Sequence, residues 1–406
     1  QDYIDAKSWP MGYAVREDIL EKLGYKFKPI AEIEKDLAQQ NRRLTMEDIK
    51  VEPEIRSIED LEKLLVGIQG LNLTASDGSP LIPMGGSSGQ FLLAMGASFY
   101  FDFFQVTDGK VGGWFGTPYV KEMFEVMNKW YRQGLIDKDM YVLAQTPEKL
   151  SDKVALAKYG MWWSTWIPNE VDANTKCEQA TGTRVRFVPI PRFREDIPPR
   201  QQEVAPGAGR GLAIRKGFRD LDKLVAYLDW LWSDAAQDMI MWGKENGIWT
   251  LNSEGKKVFK DEELWKVLKE GQNRKTAKGE DATYYGINYT SPYSRVFNNN
   301  LHNPFRWKFS YAAQYDAIAE MKRVAGEPQV VVDGTCSANF KGEAATGVNN
   351  FFWQKGFDYA AQIILAESDQ ARDANLQKAL DDFYKSCDYE QAVKDMEEYF
   401  KVLQGK

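Results

Sequence analysis

The sequence predicts an α/β protein of two lobes, and three observations carry that reading. Its 406 residues are too many for one simple core. Short apolar strands alternate along the chain with amphipathic helices, most of them bounded by glycine or proline. And the segment Pro206-Gly207-Ala208-Gly209-Arg210-Gly211 puts a run of small residues before Leu212-Ala213-Ile214, as a flexible crossing between two bodies would.

Taken in order, residues 9–24 read as a short strand leading into a helix that Gly24 closes. Residues 25–50 are polar and charged with helical patches. Ser57 caps a helix with Asp60 three residues on, followed by the apolar face of Leu61, Leu64 and Leu65. Residues 76–90 form a loop, a short strand and a glycine-rich loop (Gly85–Gly89) with no Gly-Lys-Ser/Thr after it, which weighs against phosphate binding. The best-punctuated helix follows: Thr117 as cap, Pro118 in the first turn, Gly134 at the C-terminus. Val120, Met123, Phe124, Met127, Trp130 and Tyr131 make its apolar face.

Lys158 to Asn169 reads as a strand ending in a turn, whose alternation sends Trp162 and Trp163 to opposite faces, with Trp166 on the loop beyond. Arg186 to Ile190 is a short strand before Pro191. After the crossing segment, Leu221, Leu224, Val225, Leu228, Leu231 and Trp232 define another amphipathic helix. Trp242 to Asn252 forms a glycine-bearing turn that includes Glu245 and Trp249. Residues 270–310 are polar and aromatic, with Asn298 to Asn300, Arg306 and Trp307, a composition suited equally to solvated loop and to the rim of a site for a hydroxyl-rich ligand. Gly342 to Trp353 leads into a helix through Ile364, and residues 373–403 read as helices carrying Leu376, Leu380, Phe383, Met396 and Phe400.

Composition narrows the chemistry. Apolar residues make up 43% and charged residues 27%, ordinary for a globular protein. The net charge of −7 and the lack of a Lys/Arg cluster argue against nucleic acid. Cys177, Cys336 and Cys387 are too few for a disulfide framework and do not have metal-site spacing, so they read as incidental thiols. A single histidine, His302, weighs against zinc hydrolysis and histidine-based triads. No metal or cofactor is expected. Aromatic residues, at 13% with 13 Trp, are the oddity. Most belong in cores, but indole faces also stack on the C–H faces of sugar rings.

Several of these stretches, in order, resemble the extracellular solute-binding proteins of family 1, the ligand-capturing components of ABC importers of sugars. Tyr13-Ala-Val-Arg16-Glu-Asp18-Ile-Leu20-Glu-Lys22-Leu23-Gly24 is similar to the family's strand between lobes, and Trp130-Tyr131-Arg132-Gln133-Gly134-Leu135-Ile136-Asp137 to its "WY-x-x-GLID" helix end. Gly160 to Trp166 stands where the family ends a strand at the cleft with a stacking Trp. The resemblance implies a two-lobed periplasmic-binding-protein-like fold of type II with a hinge. Residues 1–12 would end the first lobe, 13–205 form the second, 206–340 return to the first, and 341–406 lie as helices across the hinge side. It implies a carbohydrate ligand, an oligosaccharide, held by Trp166, Trp163, Trp353 and Trp249, with Trp307, Arg306, Asn299 and Glu245 at the rim and no catalytic residue. It implies ABC permease subunits as partners, an extracytoplasmic monomer, and a membrane link only through a lipid anchor. Some members carry a calcium loop near residues 76–90; here only Asp77 and Gly78 match it. Members also begin with βαβ units of about 30 residues each, so about 100 residues of first lobe have no counterpart in this sequence. The competing readings are a glycoside hydrolase or lyase with an aromatic cleft, and a surface lipoprotein without a transport role.

Overall fold

The computed structural model describes residues 12–40, 46–86, 92, 95–96, 98–101, 104–107, 110–140, 152–164, 174, 176–194, 202–203, 214–231, 233, 235–236, 249–253, 255, 257–260, 332–333 and 342–403. The chain divides into two compact units, one of residues 1–206 and 314–406, the other of 207–313.

The first unit is built on a four-stranded sheet of β1 (Gly12–Arg16), β4 (Ile82–Gly85), β7 (Tyr159–Ser164) and β8 (Val185–Pro189), in the order β4-β7-β1-β8. Between them come the short pairs β2 (Lys26–Phe27) with β3 (Val51–Glu52) and β5 (Gln105–Thr107) with β6 (Lys110–Gly112). Strand β1 runs antiparallel to both neighbours, and β4 runs parallel to β7. Tyr13, Val15, Met84, Met161 and Trp163 enter the main core. Trp162 lies in register between Ala14 and Gly85, small neighbours on either side of a large indole. Both tryptophans are buried, as a sheet covered on both faces requires.

The helices follow the periodicity closely. Helix α1 (Glu17–Lys22) continues β1, and α2 (Ile30–Gln40) is tied to it by the buried Glu17. That carboxylate accepts from Arg186 Nη2 at 2.9 Å and from the Ile30 N–H at 3.1 Å. Burial pushes the Glu17 carboxyl up, against the pull of Arg186. After the four-residue α3 (Met46–Ile49), α4 (Ile58–Gly70) has the expected capping box between Ser57 and Asp60.

Helix α5 (Val120–Gln133) buries Val120, Met123, Phe124, Met127 and Trp130. Its start differs from expectation. The helix begins after Tyr119, and Thr117 does not cap it, because the Thr117 hydroxyl instead donates to the Phe99 carbonyl at 3.3 Å. Its end is as expected: Gly134, at φ 71°, closes it by donating to the Trp130 and Tyr131 carbonyls. The chain then runs along β4. Met84 N–H donates to Leu135 O and Asp137 N–H to Met84 O, both at 3.0 Å. Asp137 is buried and accepts from the Tyr159 hydroxyl at 2.5 Å and Lys153 Nζ at 2.6 Å. The "GLID" ending is therefore a lock between a helix and a sheet.

The second unit contributes helix α6 (Leu221–Leu231) and a hairpin of β10 (Trp249–Leu251) with β11 (Lys257–Phe259), Trp249 opposite Phe259. Back in the first unit, β12 (Val332–Asp333) pairs parallel with β9 (Gln202–Glu203).

Helix α7 (Glu343–Phe351), a π-helical turn (Phe352–Gly356) and α8 (Phe357–Ile364) run on from one another. Helices α9 (Asp369–Ser386) and α10 (Tyr389–Leu403) complete the first unit. Asn128 of α5 donates from Nδ2 to the Ile364 and Ala366 carbonyls at 2.9 and 2.7 Å, satisfying the end of α8. Cys177 and Cys387 are buried free thiols, pushed up to about 12 and about 11 by burial, while Cys336 lies outside the described residues. No helix among the described residues is long and apolar enough to cross a membrane.

Candidate ligand-binding site

Strands β4, β7 and β8 all point the same way, so their carboxyl ends (Gly85, Ser164 and Pro189) share one rim of the sheet. In α/β folds that rim is where loops gather to hold a ligand. Trp163 stands one residue short of it, 1% exposed. Its indole N–H is buried without a hydrogen-bond partner among the described residues, as is that of Trp162. Leaving such a donor unsatisfied costs about 1–3 kcal/mol. Trp163 is thus a core side chain beside the rim whose indole N–H has no partner among the described residues.

Trp353 is placed quite differently. It is 48% exposed, although it stands in an otherwise buried aromatic run, Phe351-Phe352-Trp353. The π turn takes Phe352 inward, where its ring stacks on Trp114 with centroids 3.5 Å apart and planes 11° from parallel. Trp114 holds a left-handed φ of 49°, unfavourable for a bulky residue and sustained by this packing. Gly356 makes room for it: a Cβ there would lie 2.7 Å from the Phe352 ring. Around Trp353, Phe352, Phe357 and Trp114 contact it at tilts of 77°, 59° and 76°. Among the described residues no ring lies parallel to the Trp353 indole.

Of the remaining expected site residues, Trp249 is 6% exposed, packed at the base of its hairpin. Trp166, Trp307, Arg306, Asn299 and Glu245 lie outside the described residues. The Asp77 carboxylate, from which a calcium loop would have to be built, is already engaged by Lys158 at 2.7 Å and by the Ser79 hydroxyl at 2.6 Å. Lys158 first, then Ser79, hold it well below the usual carboxylate range. The supporting shell of Trp353, made of Trp114, Asn349, Phe352 and Gly356, was missed from the sequence. Asn349, four residues before Trp353 on a helix, was the one member whose spacing could have revealed it.

No protein-family model matches the sequence, and no curated protein matches it. Solved structures do. An extracellular solute-binding protein from Bifidobacterium longum subsp. infantis matches with a TM-score of 0.58 at 15% identity, over 98% of this chain and 74% of that one. An ABC-transporter-associated solute-binding protein from Bifidobacterium longum infantis, described as HMO-binding, matches with a TM-score of 0.52 at 14% identity, over 98% and 75%. An alginate-binding protein solved without calcium gives 0.50 at 13%, over 96% and 72%. At these identities the likeness establishes architecture. The chain has the two-lobed α/β fold of the extracellular solute-binding proteins.

Proposed function

We propose that this protein is the substrate-binding component of an ABC importer and that it captures a carbohydrate, an oligosaccharide, without transforming it. The observation that carries this reading is Trp353: a half-exposed indole on a rigid aromatic base, in a fold shared with proteins named for solute capture. A stacking surface suits sugars because their C–H faces are apolar while their hydroxyls need polar partners at the edge. Trp166, three residues after buried Trp163 in sequence, is a second stacking residue in this reading, and Asn299, Arg306, Trp307 and Glu245 supply edge contacts. Trp163 and Trp249, both buried, serve mainly as packing.

In the same reading, the two lobes close on the ligand about segments that include residues 206–214, and the closed form is what the permease recognises. The protein works outside the cytoplasm, as a monomer, either in the periplasm or held by a lipid anchor at the outer face of the cell membrane. Thermal-shift screening against neutral and uronic-acid oligosaccharides, with each hit followed for shorter products, tests the proposal. Saturable stabilisation with the sugar recovered intact is the expected result. Release of shorter sugars would identify a hydrolase or lyase instead. Folded protein indifferent to every sugar would favour a surface protein without a transport role.

A further inference from the structure

We infer that Asn349 is the positioning residue of the ligand platform: it engages the Trp353 indole N–H, so that Trp353 recognises its ligand through the ring face alone. The inference rests on the carbohydrate reading above and adds to it how the contact is made. Trp353 Nε1 donates to Asn349 Oδ1 at 3.1 Å, one helical turn back. Asn349 is itself buried, on the inward side of α7, and so offers a fixed acceptor. A half-exposed indole with a free N–H can turn about its side-chain bonds and can meet a sugar hydroxyl edge-on. This one has its polar edge occupied from within the protein.

A π turn begins at Phe352, where Phe351 and Phe352 are buried and Trp353 emerges, and such turns recur at functional sites. Gly356 admits the Phe352 ring, and Phe352 in turn seats on Trp114. The tilted contacts from Phe352, Phe357 and Trp114 then bracket the indole. Ring orientation is therefore set before any ligand arrives, which lowers the ordering cost of binding. The ligand selected is one that presents a continuous C–H face to the indole, with its hydroxyls directed away from the Trp353 nitrogen.

The test uses the full chain, its Asn349→Leu and Asn349→Asp variants, and two probes, a neutral hexose tetrasaccharide and a uronic-acid tetrasaccharide. The Trp353 indole N–H resonance, assigned by its loss in Trp353→Phe, is followed for hydrogen exchange without ligand, and affinity is measured by calorimetry. The inference predicts slow exchange in the wild type, fast exchange in Asn349→Leu with affinity about fivefold to tenfold weaker, and recovery of both in Asn349→Asp, which keeps an acceptor oxygen. Wild-type exchange or wild-type affinity in folded Asn349→Leu would overturn it. So would failure of Asn349→Asp to recover either property while melting like the wild type. If the wild-type chain binds neither tetrasaccharide but its indole N–H is protected through Asn349, these two sugars are excluded as ligands and the hold of Asn349 on the indole stands.

Discussion

Helices α5 and α6 were written in the same code and met different fates. In α5, Met123, Phe124, Met127 and Trp130 are all buried. In α6, Leu221 and Val225 of the corresponding face remain 46% and 45% exposed, and Leu231 alone is buried. A 3.6-residue period says that a helix has an apolar face; it does not say what covers it. Helix α5 is held from several sides at once. The "GLID" segment stitches its end to β4, Trp130 donates to Glu62 of α4 at 2.7 Å, and Asn128 holds the end of α8. Each of these partners comes from a distant stretch of sequence, which a local pattern cannot contain.

The sharpest way to break this comparison is a paired truncation. Trp130→Ala removes a fully buried indole and its bond to Glu62, and should destabilise the first unit by about 3–5 kcal/mol. Leu221→Ala, on the apolar face of α6 and 46% exposed, should stay within about 0.5 kcal/mol. Chemical denaturation of both variants measures the difference, and comparable losses would show that the face of α6 is buried in solution. A second, smaller effect isolates polarity within the α5 contacts. Asn128→Ala leaves two carbonyls at the end of α8 without their donor and should cost about 1–3 kcal/mol, read by the same denaturation. The third concerns the π turn. Gly356→Ala forces the Phe352 ring off Trp114 and should cost about 1–3 kcal/mol, with a change in near-ultraviolet circular dichroism from the displaced aromatic pair.

The smallest expected effect is one of pH. Hydrogen bonds from Lys355 first, then Tyr359, hold the Asp382 carboxyl down to about 2. Because its folded value lies below the ordinary 3.8, the contribution is complete above about pH 4 and is lost as pH falls toward 2. The Lys355 side chain is half-exposed, so screening by water keeps the pair's share of stability small. Asp382→Asn should flatten that part of the stability–pH profile and leave neutral-pH stability nearly unchanged.

What was legible in the sequence was local. The capping box at Ser57, the left-handed Gly134, the strand carrying Trp162 and Trp163, and the run of helix from Glu343 to Ile364 all follow from short-range rules. Thr117 misled because its hydroxyl found the Phe99 carbonyl, a tertiary partner that outcompeted the cap. Trp163, which the resemblance offers as a ligand contact, is buried in the sheet's core. Trp353 was singled out by resemblance, but the packing around it was not. The π turn depends on Gly356 meeting Phe352, and Phe352 meeting Trp114 from 238 residues earlier.

One titration tests the central claim most directly: calorimetric binding of the preferred oligosaccharide to the wild-type chain and to Trp353→Ala, with melting curves for both. Loss of a stacked indole from a sugar site should weaken binding at least about tenfold while an exposed-residue truncation leaves the melting temperature nearly unchanged. Equal affinity in the two proteins would contradict the account and remove Trp353 from the ligand site.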